Sequence, residues 1–242
     1  MGVELSVCLQ KSGSREQAES FARKMGITVG EKTGDGLTVV FDKNGVSMTG
    51  FGLTFQADFE ELLHRVTNGR LSHEMLIHAA KSNKEGLTAI DATAGMGEDA
   101  FLLAAYGYRV TLFEQDPVVA VLLKDALRRG RKHPVLKDIV ARMELIEANS
   151  IDYMKKMVEP VDVIYLDPMF PERQKSSLIN KKLQLIQKLE PPCSDEEELF
   201  AAAEAAPHGK IIVKRPLKSP NLAGRVPNHT INGKAIRYDC YT

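Results

Sequence analysis

The chain has 242 residues, of which 43% are hydrophobic and 26% are charged, a composition typical of a globular protein with its own buried core. Lys plus Arg and Asp plus Glu both number 32, so the net charge gives no general attraction for a polyanion. No run of 18 apolar residues and no N-terminal signal pattern occurs, which predicts a cytoplasmic protein without a membrane span.

The cysteines and histidines show no ligand spacing. Cys8, Cys193 and Cys240 are far apart and form no Cys-x-x-Cys pair, and the six histidines are scattered. This pattern predicts a reducing compartment, no disulfide framework and no metal site.

The first part of the chain, residues 1–60, is predicted to be a small α+β subdomain. Its elements are a strand, a helix that starts with a capping pattern, and two strands joined by a turn containing Asn-Gly. They are expected at Val3–Leu9, Ser14–Gly26, Leu37–Phe41 and Val46–Phe51. A linking segment, residues 61–86, follows and contains a helix at Leu71–Ala80.

Residues 87–242 alternate strand-like and helix-like patterns. The strands are expected at Leu87–Ile90, Arg109–Phe113, Met143–Ile146, Val161–Leu166, Lys210–Lys214 and Ala235–Tyr241. The helices are expected from Glu98 to about Tyr106, at Pro117–Arg129, Ile151–Met157, Leu178–Leu189 and Glu196–Ala206. This alternation predicts an α/β fold with a parallel, doubly wound sheet.

A glycine turn follows the first strand of this second part. Asp91 ends the strand, Gly95 and Gly97 follow, and a helix begins directly afterwards. Glycines allow a backbone to approach a ligand closely, and a helix start offers unpaired N–H groups. Glu114, at the end of the next strand, is placed to accept the two hydroxyls of a ribose. The pattern predicts a nucleotide site at the carboxyl edge of the sheet.

Two kinds of nucleotide fit this turn. Gly95-x-Gly97-x-x-Ala100 matches a dinucleotide fingerprint with Glu114 at a suitable distance. However, Glu98 and Asp99 place two carboxylates where a diphosphate would lie, and like charges repel. Asp91 either meets a ligand ammonium or fixes the turn. S-adenosylmethionine, an adenosine that carries a sulfonium, therefore fits better than NAD.

The fourth strand ends in Asp167-Pro168-Met-Phe170. An exocyclic amine of a base is a weak nucleophile because its lone pair is delocalised into the ring. The Asp167 carboxylate and the Pro168 carbonyl are placed to accept its two hydrogens and to hold the nitrogen for attack. Phe170 offers a face on which an extruded base can stack. The motif indicates methylation of a base amine.

The motifs resemble those of the RsmJ family, bacterial small-subunit ribosomal RNA (guanine-N2)-methyltransferases. The likeness spans about Asp91 to Tyr241, and the motifs that carry it are Asp91-Ala-Thr-Ala-Gly-x-Gly, Asp167-Pro-Met-Phe-Pro-x-x-Gln174-Lys-Ser176, Lys181-Lys182 and Val213-Lys-Arg-Pro216. The resemblance implies a class I methyltransferase, a Rossmann-like fold with a mostly parallel seven-stranded sheet. Its partner would be small-subunit ribosomal RNA or the assembled subunit.

The resemblance also implies the residues that contact the methyl donor: Glu98, Asp99, Glu114, Gln115, Asn149, Ser150 and Asp167. Three alternatives remain open from the residues alone. The chain could methylate another planar amine, in adenine or in a protein glutamine. It could be a ribosome-binding module without catalysis. The alternative that the residues favour least is an NAD-dependent oxidoreductase.

Basic residues cluster near the predicted site. From Gly209 to Thr242 there are seven Lys or Arg and one Asp, so this segment has a local charge of +6. Such a segment is suited to phosphates. The predicted RNA contacts are Lys175, Lys181, Lys182, Lys214 and Arg215, whereas the basic run from Arg128 to Lys132 is interpreted as a solvated helix end.

Overall fold

The computed structural model describes residues 4–30, 36–168 and 195–242. Within them the chain forms two β-sheets, one of five strands and one of seven. The five-stranded sheet comes from the N-terminal part, and the seven-stranded sheet comes from the part after residue 87.

The N-terminal sheet has the strand order β2-β1-β3-β4-β5. Its elements are β1 (Leu5–Leu9), α1 (Arg15–Met25), β2 (Val29–Gly30), β3 (Leu37–Asp42), β4 (Gly45–Gly50) and β5 (Leu53–Phe55). The Ser14 hydroxyl accepts the Gln17 N–H at 3.4 Å, and Gly26 ends the helix at φ +68°, as the capping pattern predicts. Strands β2 and β5 were not predicted because two and three residues are too few to show a periodicity.

Short helices connect the two sheets. They are a 3₁₀ turn at Phe59–Leu62, α2 (Leu63–Val66), a second 3₁₀ turn at Arg70–His73 and α3 (Met75–Ala80). The helix predicted at Leu71–Ala80 is therefore shorter than expected. Glu74 interrupts it with an extended backbone (ψ 125°), and its carboxylate binds the Arg65 guanidinium at 2.8 and 2.6 Å.

The seven-stranded sheet contains most of the remaining chain. In chain order its elements and their flanking helices are β6 (Thr88–Asp91), α4 (Glu98–Tyr106), β7 (Arg109–Phe113), α5 (Pro117–Gly130), α6 (Lys137–Val140), β8 (Met143–Ile146), α7 (Ser150–Met154), β9 (Val161–Leu166), α8 (Glu196–Ala205), β10 (His208–Pro216), β11 (His229–Asn232) and β12 (Ile236–Tyr241). The strand order is β11-β12-β10-β9-β6-β7-β8. Strands β6 to β10 are parallel, and β12 is antiparallel to both of its neighbours.

This order contains a topological switch point. The chain runs outward from β6 through β7 to β8, then returns to pair β9 with the other side of β6. In such sheets the crevice between the diverging connections, at the carboxyl ends of the strands, is where ligands bind. Asp91 at the end of β6 and Asp167 just after β9 border this crevice.

Two buried clusters lie on opposite faces of the seven-stranded sheet. Helices α4 and α5 contribute to one cluster, which continues into the N-terminal sheet, and Phe59 stacks on Phe101 with ring centres 5.2 Å apart. Helices α7 and α8 contribute to the other cluster. Along β9 the side chains alternate, with Val163 and Tyr165 in the first cluster and Ile164 and Leu166 in the second.

Most predicted strands are confirmed, and three, β7, β8 and β9, have the predicted bounds. Strand β11 was not predicted because its sequence, His-Thr-Ile-Asn, has only one apolar residue. It is an edge strand of the sheet and pairs with β12. The helix predicted at Leu178–Leu189 lies outside the described residues. In the part of the chain that the structure describes, no helix is long and apolar enough to cross a membrane.

Candidate active site

The glycine turn after β6 has the backbone that glycine permits. Gly95 has φ +52° and Gly97 has φ +74°, and the Gly97 N–H donates to the Ala94 carbonyl at 2.7 Å. A Cβ on Gly97 would lie 2.9 Å from Leu123 Cδ1, so this glycine allows the turn to pack on α5. A Cβ on Gly95 would meet nothing within 4 Å. The Gly95 backbone therefore borders open space in which a ligand can approach it.

Glu114 fixes this turn from the neighbouring strand. Its carboxylate accepts the Gly95 N–H at 3.0 Å and the Asp116 N–H at 2.8 Å, and the residue is 7% exposed. A carboxylate has about four acceptor positions, so one carboxylate can hold backbone N–H groups and ligand hydroxyls at once. Glu114 thus lies where the sequence placed it, beside the open face of Gly95, and it also shapes the turn.

Asp91 is buried at the root of the turn, with 1% of its surface exposed. Its carboxylate accepts the Thr93 N–H at 3.2 Å, so it helps to fix the turn. Burial, together with the nearby Asp99 charge, raises the pKa of Asp91 well above its ordinary value. A cation bound beside Asp91 would oppose this shift and favour the ionised carboxylate.

The end of β9 is tied directly to the glycine turn. The Asp167 N–H donates to the Thr93 hydroxyl at 2.6 Å, and the Ala92 N–H donates to the Tyr165 carbonyl at 3.0 Å. The Asp167 side chain is 37% exposed, whereas Pro168 is buried. These bonds set the Asp167-Pro168 peptide beside the residues that follow β6.

An ion-pair network joins helix α4 to strands β9 and β10 at the same edge. The Lys214 ammonium lies 2.7 Å from Asp99 Oδ2 and 2.9 Å from Asp167 Oδ2, and the Tyr165 hydroxyl donates to Asp99 Oδ2 at 2.7 Å. Burial alone would raise the pKa of Asp99, but Lys214 and Tyr165 outweigh burial and hold that pKa below its ordinary value. Burial and the Asp99 and Asp167 charges raise the pKa of Tyr165 well above its usual range.

Polar groups after β8 face the end of β7. Asn149 caps α7 by accepting the Ile151 N–H at 2.8 Å, and its amide donates to the Gln115 side chain at 3.1 Å. Ser150 is buried and Gln115 is exposed. Glu98, in the first turn of α4, is also exposed. The structure thus brings Gln115 and Asn149 together, with Ser150 next to them.

Two predicted RNA contacts have different surroundings from those expected. The Arg215 side chain is 1% exposed and binds Glu196 at 2.8 Å and the Pro220 carbonyl at 3.2 Å. The Arg215 guanidinium is thus engaged inside the protein, which does not favour the predicted phosphate contact. Lys214 is held between two site carboxylates and is 22% exposed. Phe170, Lys175, Lys181 and Lys182 lie outside the described residues.

Several site residues were not found by sequence reasoning. Thr93 lies inside the glycine motif, but nothing in the sequence assigns it to the end of β9. Tyr165 is two residues before Asp167, so strand alternation places both on one face of β9, which is a usable signal. Arg65 and Glu74 pair at 2.6 Å in the linking segment. The Asp99 charge also contributes to raising the pKa of Arg65, after the bond to Glu74.

The strand order, the glycine turn at the switch point and the acid at the end of β7 together define a class I methyltransferase fold. The family model for S-adenosylmethionine-dependent methyltransferases matches residues 28–242. A protein named ribosomal RNA small subunit methyltransferase J from Thioalkalivibrio sulfidiphilus is 36% identical over 250 residues, covering 98% of this chain and 97% of the relative. A protein of the same name from Pseudomonas aeruginosa is 36% identical over 246 residues, covering 98% of this chain and 94% of the relative.

A solved structure agrees over nearly the whole chain. The S-adenosylmethionine-dependent methyltransferase NGO1261 from Neisseria gonorrhoeae superimposes with a TM-score of 0.78 at 27% identity, covering 98% of this chain and 95% of that one. The chain belongs to the RsmJ family of S-adenosylmethionine-dependent methyltransferases. The resemblance seen in the motifs is confirmed, and it extends into the N-terminal part, beyond the range from Asp91 to Tyr241.

Proposed function

We propose that this protein transfers a methyl group from S-adenosylmethionine to the exocyclic amine of a guanine in small-subunit ribosomal RNA. The observation that carries the proposal is the position of Asp167-Pro168, tied to the glycine turn through Thr93 at 2.6 Å. The names of the RsmJ relatives support ribosomal RNA as the substrate. They favour this interpretation over another planar amine, a silent ribosome-binding module or an NAD enzyme.

The residues around the turn fit the methyl donor. The open face of Gly95 gives room for a ligand against the backbone, and Glu114 can accept ribose hydroxyls. Asn149 and Gln115, with Ser150 beside them, present polar groups for the adenine edge. The ammonium and sulfonium of the donor are cationic, which suits an edge bordered by the carboxylates of Asp99 and Asp167, and a cation beside Asp91 would favour its ionised form.

The chain's part in the reaction is to hold and orient the amine. The donor supplies an electrophilic methyl group on a sulfonium sulfur. The Asp167 carboxylate and the Pro168 carbonyl accept the two amine hydrogens, and this turns the nitrogen lone pair toward the methyl carbon. When bound, the donor would supply the methyl carbon for the new N–C bond and would keep the electron pair of its broken C–S bond on sulfur. The amine proton then passes to Asp167 and on to water.

Recognition of the RNA is assigned to residues that follow Pro168 in the sequence. Phe170 would stack on the extruded guanine, and Lys175, Lys181 and Lys182 would contact phosphates. Lys214, held between two carboxylates, and Arg215, buried against Glu196, are not part of this set. Either naked ribosomal RNA or the assembled small subunit would supply the substrate.

The test is the identity of the methylated nucleoside. Small-subunit ribosomal RNA from a strain that lacks the gene is incubated with the protein and a labelled methyl donor, both as naked RNA and as assembled subunits. After digestion, mass spectrometry should find the label in N2-methylguanosine from at least one of the two substrates. Label in a methylated adenosine or in a protein glutamine, or no transfer to either substrate, would refute the proposed function.

A further inference from the structure

Lys214 occupies the centre of the candidate site. Strands β9 and β10 are parallel and pair Leu166 with Val213, so Lys214 emerges at the same edge as Asp167. Its ammonium lies within 3 Å of one oxygen of Asp99 and one oxygen of Asp167. The two carboxylate oxygens are therefore at most roughly 6 Å apart, a separation at which like charges disfavour each other's ionisation.

Among the described residues, carboxyl and phenol groups from several elements surround Lys214. Asp99 comes from α4, Tyr165 from β9 and Asp167 from the position just after β9, and Tyr238 lies opposite Lys214 in the β10–β12 register. Asp91, at the end of β6, adds a further carboxyl group that interacts with Asp99 and Lys214. Arg65 is a further cation that acts on Asp99, but its guanidinium donates two hydrogen bonds to the Glu74 carboxylate.

These surroundings keep the ammonium charged. Burial favours the neutral amine, but the Asp99 and Asp167 carboxylates outweigh burial, so the pKa of Lys214 lies well above its ordinary value. Lys214 therefore does not act as a base at neutral pH. The Asp167 carboxylate has acceptor positions on both oxygens, so it can accept an amine hydrogen while Lys214 binds Oδ2.

We propose that Lys214 is a positioning residue for methyl transfer, which orients the Asp167 carboxylate and keeps it ionised beside Asp99. This inference rests on the proposed function, because Asp167 must be an anion to accept the hydrogens of the target amine. Lys214 acts through Asp167 and keeps its own proton throughout. The role replaces the phosphate contact that the basic segment from Gly209 to Thr242 suggests.

The test compares Lys214→Met with Lys210→Met. Lys210 lies on the same strand, and its ammonium donates to the Ala79 carbonyl at 3.1 Å. The control therefore removes the same charge from β10 without touching the site. Lys214→Met should lower kcat by about 10- to 100-fold, the loss found when a group that orients a metal ligand is removed. The acidic limb of the kcat profile should move up by about one to two pH units, because Asp167 then protonates more easily.

Lys214→Arg keeps a cation at the same point, so it should restore most of the rate and the wild-type acidic limb. Lys214→Gln should behave like Lys214→Met, which keeps the comparison decisive if the methionine variant does not fold. Lys210→Met should leave kcat and the pH profile unchanged. A rise in the KM for RNA with unchanged kcat and an unchanged pH profile in Lys214→Met would overturn the proposal, because that result is expected of a phosphate contact.

A second readout needs neither RNA nor methyl donor. The carboxyl carbon of Asp167 is observed by NMR in protein labelled with ¹³C at the aspartate carboxyl groups, and the signal is assigned by its loss in Asp167→Asn. It should titrate at higher pH in Lys214→Met than in the wild type. Unchanged titration would contradict the proposal. If the wild type failed to methylate ribosomal RNA, the proposed function would fall, and this titration would still decide the role of Lys214.

Discussion

At the scale of single residues, Glu114 combines a structural bond with a predicted ligand contact. It accepts the Gly95 and Asp116 N–H groups and lies beside the open face of Gly95. Glu114→Ala should weaken binding of S-adenosylhomocysteine by about 1–3 kcal/mol, because hydrogen-bonding partners in a buried site lose their acceptor. Calorimetry measures this change, with Glu144→Ala, an exposed acid on the neighbouring strand β8, as the control. Equal dissociation constants for wild type and Glu114→Ala would remove Glu114 from the cofactor site.

Sequence reasoning at this scale succeeded where a chemical role follows from a position at the end of a strand. Asp91, Glu114 and Asp167 were placed correctly at the carboxyl edge because parallel strands end at a common edge. Sequence reasoning could not assign contacts between residues that are distant in the chain. Lys214 and Arg215 are adjacent cations in the sequence. In the fold Lys214 pairs with Asp99 and Asp167, whereas Arg215 pairs with Glu196.

At the scale of elements, Asp125 on α5 joins the helix to the N-terminal hairpin. Its side chain is 2% exposed, binds Arg128 and Arg129 on the same helix, and accepts the Val46 N–H at 3.0 Å. The basic run that begins at Arg128 was interpreted as a solvated helix end, but its first two residues bind this carboxylate. Asp125 precedes Arg128 by three residues and Arg129 by four, a spacing that predicts ion pairs on one face of a helix.

Asp125→Ala should lower the free energy of unfolding by about 1–3 kcal/mol, because it leaves the buried Val46 N–H without its acceptor and two part-exposed guanidinium groups without this carboxylate. Urea unfolding followed by circular dichroism gives the value. The control is Asp138→Ala, which removes an exposed acid from α6. If the two variants were equally stable, the contact between α5 and β4 would contribute little to the fold.

At the scale of the whole molecule, one buried cluster extends from the N-terminal sheet to α4 and α5. The sequence predicted a subdomain at residues 1–60, a linking segment at 61–86 and a catalytic domain at 87–242, but patterns of polarity do not reveal which faces of different elements meet. Phe59, 2% exposed, stacks on Phe101 at the junction, with an interplanar angle of 9°. The two sheets should therefore unfold together.

Phe59→Ala should destabilise the protein by about 3–5 kcal/mol, the cost of removing a buried aromatic ring. The loss should be the same whether it is followed by hydrogen exchange in β3 or in β7, since both strands contribute to the shared cluster. Phe51→Ala, which removes a ring that is 46% exposed, is the matched control. A loss of protection confined to β3 would show that the N-terminal sheet unfolds on its own.

The central claim, that Asp167 holds the amine that receives the methyl group, is tested most directly by the single-turnover rate of Asp167→Asn with ribosomal RNA and saturating donor. The substitution keeps the size of the side chain but removes the charge that favours a developing cationic nitrogen and that binds Lys214. The rate should fall by about 10²–10³-fold, the effect of losing one preorganised electrostatic partner. Donor saturation is checked by calorimetry on the same variant. A folded, donor-saturated Asp167→Asn protein that transfers methyl groups within a few-fold of the wild-type rate would contradict the account.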